Sequence, residues 1–126
     1  MELDRFGWPL GPTLNVQSLP TDFPEPPQQD LDAILDSLHE YQRRLFANRR
    51  HAVLLVVQGL DAAGKDSLIR TLAQAMDPAA FRVHAFGRPL GEEVDHDFLW
   101  RVWRHLPARG DVVAFNRSHY ESVLAE

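Results

Sequence analysis

A single lysine stands in a segment whose residue types suit the binding of phosphate. The chain has 13 basic residues, and Lys65 is the only lysine among them. It follows Gly59-Leu-Asp-Ala-Ala-Gly64, which lies between the apolar run at residues 52–57 and a helical pattern. A loop that joins a strand to a helix directs backbone N–H groups towards an anion. The segment therefore predicts a phosphate-binding loop, with the compact Lys65 ammonium beside the phosphate oxygens.

This segment fits the P-loop pattern G-x-x-x-x-G-K-[ST] at every position except the last. Asp66 stands where a Ser or Thr commonly binds magnesium. Because Mg²⁺ prefers oxygen ligands and retains several waters, Asp61 or Asp66 would suffice as its carboxylate ligand. Gly59 and Gly64 are expected to permit the turn and the close approach of phosphate oxygens. The predicted phosphate-binding residues are Gly59, Ala62, Ala63, Gly64, Lys65, Asp66 and Ser67.

A second polar cluster, Asn116-Arg117-Ser118, directly follows the apolar run at residues 112–115. In a parallel sheet the carboxyl ends of strands share one edge, so this cluster is expected beside the loop. Arg117 would bind a transferring phosphate there in bidentate fashion. A third group, formed by Arg88, Arg101 and Arg104, either contributes to phosphate binding or is simply solvated.

Hydrophobic periodicity predicts alternating helices and strands. Helices are predicted at residues 30–48, 65–76 and 92–106, and strands at 52–58, 81–86 and 112–115. The first strand is expected to be fully buried because its apolar run is unbroken. Strands that alternate with helices indicate an α/β fold with a parallel sheet and right-handed crossovers. We expect a P-loop kinase-like three-layer sandwich.

The N-terminal stretch differs in composition from the rest. Six of the nine prolines fall in the first 27 residues. Residues 1–29 are therefore expected to form an extended arm, and residues 30–126 the domain that carries the P-loop. Three strands are fewer than the five or so usual in such sheets, so we expect the domain to be incomplete: either the chain is a fragment or another chain supplies the missing strands.

Composition excludes several classes of protein. The chain has 126 residues, a formal net charge of −5, 44% hydrophobic residues and no cysteine. The negative charge argues against a nucleic-acid surface, and no stretch is apolar over the length that a membrane span needs. The absence of cysteine excludes disulfides and thiolate metal sites, and the six histidines show no His-x-x-x-His pair for zinc. We expect a globular cytoplasmic protein.

Four segments together resemble the polyphosphate kinase 2 family. They are Gln58–Asp66, His96–Arg101 (His-Asp-Phe-Leu-Trp-Arg), Leu106–Gly110 (Leu-Pro-Ala-Arg-Gly) and Phe115–Glu121 (Phe-Asn-Arg-Ser-His-Tyr-Glu). Generic P-loop kinases lack the second, third and fourth of these segments. The resemblance implies transfer of a phosphoryl group between inorganic polyphosphate and a nucleotide, with Mg²⁺.

The resemblance also implies residue roles. The Asn116 form of the last motif is similar to the subgroup that accepts AMP or ADP, whereas other branches carry Asp there. By resemblance, Lys65 and Arg117 contact phosphates and Asp61 is the better carboxylate for the metal, with Asn116 beside it. The catalytic residues are thus expected to be Lys65, Asp61 and Arg117. Family members are commonly homo-oligomers.

Two other functions remain open from the sequence. One is a P-loop kinase that phosphorylates a small molecule with ATP as donor. The other is a truncated, non-catalytic paralogue that binds phosphate or docks onto a full-length subunit. Family members carry further strands and a basic lid region, so we also expect this chain alone to be weakly active or inactive.

Overall fold

The computed structural model describes residues 30–121, so the predicted arm at 1–29 lies outside the described residues. The order of elements alternates helix and strand. It is α1 (Leu31–Asn48), β1 (Val53–Val57), α2 (Lys65–Ala75), β2 (Phe81–Ala85), a 3₁₀ helix (Gly91–Val94), α3 (Trp100–Trp103) and β3 (Val112–Asn116). Within residues 30–121, no helix has the length and apolarity needed to cross a membrane.

The three strands form a parallel sheet in the order β1-β3-β2. Val57 and Ala85 both pair with Asn116, so all three strands end at one edge. This edge carries the two segments that the sequence predicts to bind phosphate. The predicted α/β class with a parallel sheet is confirmed.

The core lies on both sides of β3, whose residues 112–115 are almost completely buried. Val112 and Ala114 pack with Met76 and Phe81, and helix α1 covers this cluster with Leu38 and Leu45. Val113 and Phe115 pack on the opposite face with Phe86 and with Val102 of α3. Successive strand residues point to opposite faces, so the two clusters give the molecule three layers.

Helix α1 is capped at its N-terminus and is tied to the end of α2 by a buried side chain. Asp30 caps its N-terminus by accepting a hydrogen bond from the Asp32 N–H at 3.1 Å. Gln42, only 3% exposed, forms two hydrogen bonds with the backbone of Asp77, just beyond α2. Its Nε2 donates to the Asp77 carbonyl at 3.0 Å, and its Oε1 accepts from the Asp77 N–H at 2.7 Å. The two helices are therefore joined by specific polar contacts as well as by apolar packing.

The prediction of one long helix at residues 92–106 is wrong. This region is divided into a one-turn 3₁₀ helix and the four-residue α3. Between them, the Asp97 carboxylate accepts a hydrogen bond from the Leu99 N–H at 2.9 Å. Such local side-chain bonds offer the backbone an alternative to a continuous helix. One long helix would place Val94, Phe98, Val102 and Trp103 on a shared apolar face, but of these only Val102 is buried.

The prediction that β1 is fully buried is also wrong. Val53, Leu54 and Val56 are between 37% and 44% exposed. The reason is position: among the described residues β1 pairs only with β3, and α3 packs around Phe86 and β3 rather than across β1. An apolar run cannot by itself distinguish a central strand from an edge strand.

Two histidines stack on the face that carries α3. The ring centroids of His84 and His105 lie 3.4 Å apart, and the two ring planes are nearly parallel, with an angle of 16° between them. Burial lowers the pKa of both rings below its usual value of 6.5. Repulsion from His105 lowers the pKa of His84 further, and repulsion from Arg104 lowers the pKa of His105 further. Arg101 acts in the same direction on both rings, Arg82 does so on His105, and Glu93 opposes the effect.

Candidate phosphate-binding site

The segment between β1 and α2, which we call the 59–66 loop, doubles back tightly before the helix starts. Ala62 and Gly64 have positive φ angles of 63° and 87°, and the Ala63 N–H donates to the Leu60 carbonyl at 3.2 Å. The left-handed conformation at Gly64 favours glycine because a side chain there would be strained. At Gly59, in contrast, an added Cβ would meet only the Ala63 Cβ at an ordinary 3.6 Å. The backbone thus explains Gly64 but gives no conformational reason for Gly59.

Helix α2 begins at Lys65, immediately after the loop. Its N-cap is Gly64, which has no side chain that could accept hydrogen bonds from the first N–H groups of the helix. The first N–H groups of a helix have no intrahelical acceptor and carry the positive end of the helix dipole. The start of α2, at Lys65, Asp66 and Ser67, therefore presents donors that suit an anion.

The Lys65 side chain folds back over the loop. Its Nζ donates to the Gly59 carbonyl at 2.8 Å and to the Leu60 carbonyl at 2.6 Å, and the side chain is only 10% exposed. The nearest Asp61 carboxylate oxygen lies 3.9 Å from Nζ. The ammonium is thus fixed at the mouth of the loop by the loop's own oxygens.

The segment after β3 lies against the 59–66 loop, as the sequence predicts. Because Asn116 pairs with Val57, the ends of β1 and β3 are adjacent, and the Arg117 N–H donates to the Val57 carbonyl at 3.0 Å. Asn116 Nδ2 donates to the Asp66 carboxylate at 2.6 Å, which joins β3 to the first turn of α2. The structure therefore brings both predicted segments together.

Arg117 is held between two carboxylates. Its Nη2 donates to Asp61 Oδ1 at 2.6 Å, and its Nη1 donates to Glu121 Oε1. Its backbone has a positive φ of 65°, which is uncommon for a residue with a side chain. Such strain persists only where the surrounding structure imposes it, and it concentrates at functional sites.

Sequence reasoning gave no role to Glu121 and Gln58, which support Arg117 together with Ser118 of the predicted cluster. Glu121 also accepts a hydrogen bond from Gln58 Nε2 at 3.0 Å. Gln58 Oε1 in turn accepts from the Ser118 hydroxyl at 3.2 Å, and Ser118 is 2% exposed. The available signal was the spacing of four residues between Arg117 and Glu121, which suits an ion pair wherever the chain turns helically.

The side chains predicted to bind a metal do not form a closed ligand set. Asp61 is paired with Arg117, and Asn116 with Asp66. Over the described range, no three His, Cys, Asp or Glu side chains converge as a metal site. The oxygen atoms of Asp61, Asp66 and Asn116 nevertheless lie on one edge of the sheet. That donor chemistry fits Mg²⁺, which needs only one or two carboxylates when water and phosphate complete its shell.

The three arginines of the third predicted group do not form one cluster. Arg101 is buried, contrary to the solvated alternative: its guanidinium lies 3.5 Å from the Glu93 carboxylate and 5.0 Å from the centre of the Phe86 ring. Arg104 instead packs over the Trp100 ring at 4.6 Å. Arg88 is exposed. Arg101 and Arg104 thus each pack against a different aromatic ring, which gives both side chains a structural role.

Comparison with known proteins connects this chain to one family. The family model described as Polyphosphate kinase 2 (PPK2) matches residues 25–126. An ADP-polyphosphate phosphotransferase of Rhodopseudomonas palustris is 48% identical over 90 residues, which cover 71% of this chain and 31% of the relative. An AMP/ADP-polyphosphate phosphotransferase of Meiothermus ruber is 46% identical over 87 residues, covering 69% of this chain and 33% of the relative. The chain thus spans about a third of the length of these curated relatives.

Solved structures give the same result. The crystal structure of polyphosphate kinase 2 from Arthrobacter aurescens TC1 superposes with a TM-score of 0.79 at 33% identity, covering 91% of this chain and 44% of the other. A putative polyphosphate kinase 2 from Pseudomonas aeruginosa superposes with a TM-score of 0.70 at 39% identity, covering 76% of this chain and 20% of the other. With sequence, family model and fold in agreement, the chain belongs to the polyphosphate kinase 2 family.

Proposed function

We propose that the protein carrying this sequence transfers a phosphoryl group between inorganic polyphosphate and AMP or ADP. The observation that supports this most directly is the placement of Lys65 and Arg117 on adjacent loops at one edge of the sheet. The relatives described above are named for phosphotransfer between polyphosphate and ADP or AMP/ADP. In this proposal the protein acts in the cytoplasm as a homo-oligomer, and the contacts between copies leave this edge of the sheet open.

The 59–66 loop is the proposed phosphate cradle. Phosphoryl transfer depends mainly on positioning and on neutralising charge in the transition state. The backbone from Gly59 to Gly64, including Ala62 and Ala63, together with the first turn of α2 at Asp66 and Ser67, would donate N–H groups to phosphate oxygens. Lys65 would contribute its ammonium once phosphate oxygens replace the carbonyls that it now contacts. Arg117 would bind the transferring group through its remaining N–H groups.

The charge of the site is the reason for proposing a divalent cation. Two cations, Lys65 and Arg117, stand against three carboxylates, Asp61, Asp66 and Glu121, so these side chains carry a net charge of −1. Polyphosphate and nucleotides are strongly anionic, so the side chains alone do not balance the substrates. Mg²⁺ held by Asp61 and Asn116 would supply the missing positive charge. Asp61, which is 85% exposed, is free to exchange partners with little rearrangement.

The test is ATP formation by the gene product that carries this sequence. Polyphosphate, ADP and Mg²⁺ are mixed with the purified protein, and ATP is followed by luciferase luminescence. Lys65→Met is expected to reduce the rate on the order of 100-fold or more, because one electrostatic contact in such a site has about that effect. Arg70→Met is the matched control, since Arg70 is an exposed cation on the same helix.

Three outcomes would contradict the proposal. They are the absence of phosphoryl transfer from polyphosphate to both ADP and AMP, a requirement for a nucleoside triphosphate as the donor, and a Lys65→Met variant as active as the Arg70→Met control. The second outcome would indicate an ATP-dependent kinase instead. Phosphate binding without turnover would indicate a non-catalytic member of the family.

A further inference from the structure

Arg117 is constrained more heavily than a surface arginine at the end of a strand requires. Its backbone is in the left-handed region and is tied to β1, and both of its terminal nitrogens are engaged by carboxylates. The two carboxylates differ in exposure: the Asp61 side chain is 85% exposed, whereas that of Glu121 is 22% exposed. Glu121 is therefore the fixed partner and Asp61 the exchangeable one.

Glu121 is itself held in place by a second set of contacts. Its Oε2 accepts a hydrogen bond from Gln58 Nε2 at 3.0 Å, and its Oε1 accepts one from Arg117 Nη1. The Gln58 amide is oriented in turn by the buried Ser118 hydroxyl, which also accepts from the Tyr120 N–H at 3.1 Å. In this series of hydrogen bonds, Glu121, Gln58 and Ser118 each have two partners. Such a network fixes geometry more strongly than an isolated pair.

We propose that Glu121, oriented by Gln58, is a positioning residue that holds the Arg117 guanidinium at the phosphate site. The effect of this positioning on catalysis rests on the proposed function. Gln58 lies directly before the 59–66 loop and Glu121 follows Arg117 by four residues, so the network connects the two loops that would face the phosphate. When Asp61 exchanges Arg117 for a metal or for water, Glu121 keeps the guanidinium in place.

Simple electrostatics and positioning predict opposite results for Glu121→Gln. Removing a carboxylate makes the site less negative, so charge alone favours polyphosphate binding and would lower KM. A guanidinium that has lost its fixed partner is misplaced in the transition state, and an error of about 1 Å can cost about 100-fold in rate. The proposal therefore expects kcat to fall about 10- to 100-fold while KM for polyphosphate does not rise.

The first measurement is independent of turnover and uses this chain itself. In ¹⁵N NMR spectra, a guanidinium whose rotation is restricted shows separate Nη signals, and Arg117→Lys identifies those of Arg117. We expect separate Arg117 signals in the wild type, a shift on addition of tripolyphosphate, and merged signals in Glu121→Gln and Gln58→Met. Glu40→Gln, which removes an exposed carboxylate paired with Arg44, is the control and should leave them separate.

The second measurement is a double-mutant cycle in the gene product that carries this sequence. If Glu121 acts through Arg117, Glu121→Gln reduces kcat in the wild type but causes no further loss in Arg117→Ala. A merely structural role would reduce activity equally in both backgrounds. Glu121→Asp, which retains the charge, should recover part of the lost kcat.

The results separate this inference from the proposed function. Normal kcat for Glu121→Gln in an active enzyme, or unchanged Arg117 signals in that variant, would overturn the inference and leave polyphosphate kinase activity standing. A wild-type protein without polyphosphate turnover would overturn the proposed function. In that case, Arg117 signals that respond to tripolyphosphate and merge in Glu121→Gln would still support the positioning role.

Discussion

Replacement of Gln42 by Met is expected to destabilise the protein measurably without touching the phosphate site. Gln42 is 3% exposed on α1, and its amide forms two hydrogen bonds with the backbone of Asp77. Methionine has a similar length and remains apolar, so it fills the space but makes neither bond. The substitution therefore isolates the polar contact between α1 and the end of α2.

The magnitude follows from the number of bonds. Each intramolecular hydrogen bond contributes about 0.5–1.5 kcal/mol net, so the loss of two gives about 1–3 kcal/mol. Asp77 is exposed, so water can partly replace Gln42, and this favours the lower half of that range. At about 4 °C per kcal/mol for a domain of this size, the melting temperature should fall by about 4–8 °C.

The assay is urea unfolding of the chain followed by circular dichroism, with Gln74→Met as the matched control. Gln74 is an exposed glutamine on α2 and should tolerate the same change. A lower midpoint for Gln42→Met at an unchanged slope would indicate a loss of stability alone. Equal midpoints for the two variants would refute the reasoning, because they would show that the contacts to Asp77 contribute no net free energy.

Three further predictions follow from the described contacts. Asp61→Asn should raise the Mg²⁺ concentration needed for half-maximal turnover by about tenfold or more, since it replaces a charged carboxylate ligand by a neutral amide; an unchanged magnesium titration would remove Asp61 from the metal site. Since burial lowers the pKa of His84 and His105, their neutral forms stabilise the fold above about pH 6.5, and this stability is lost as the pH falls through the folded-state values. Urea midpoints measured between about pH 7 and pH 5.5 should therefore fall less steeply for His105→Phe than for the wild type, and parallel curves would contradict this. Ala114→Leu should cost about 1–3 kcal/mol because Ala114 is 0% exposed at the centre of the sheet, and an unchanged melting temperature would show that the core can expand there.

The sequence predicted those elements whose signals are local. The bounds of α1, α2 and all three strands agree with the prediction to within one residue or so, because apolar periodicity and the Gly64 and Pro78 breaks are encoded in neighbouring residues. The helix predicted at 92–106 failed because Asp97 binds the backbone in its own turn. The burial of β1 failed because strand order is a property of the whole sheet, which no run of residues encodes.

The candidate site divides in the same way. The proximity of Lys65 and Arg117 was predicted because a loop pattern and a strand end mark them, and the parallel sheet brings those positions together. Gln58 and Glu121 were missed because their contact joins residues 63 positions apart in the sequence. Its geometry exists only once β1 and β3 are paired.

The position of β3 also has a consequence for how the chain folds. Both β1 and β2 form their ladders with β3, the last of the three strands in the sequence, and they do not pair with each other. The β1–β3 ladder closes a loop of roughly 60 residues, and pairings over such distances slow folding because chain entropy is lost before contacts form. During synthesis β1 and β2 must therefore wait, with their apolar side chains uncovered, until residues 112–116 have left the ribosome. Chaperone dependence in this protein should be greatest in that interval, and β3 should be the strand whose substitutions slow refolding most.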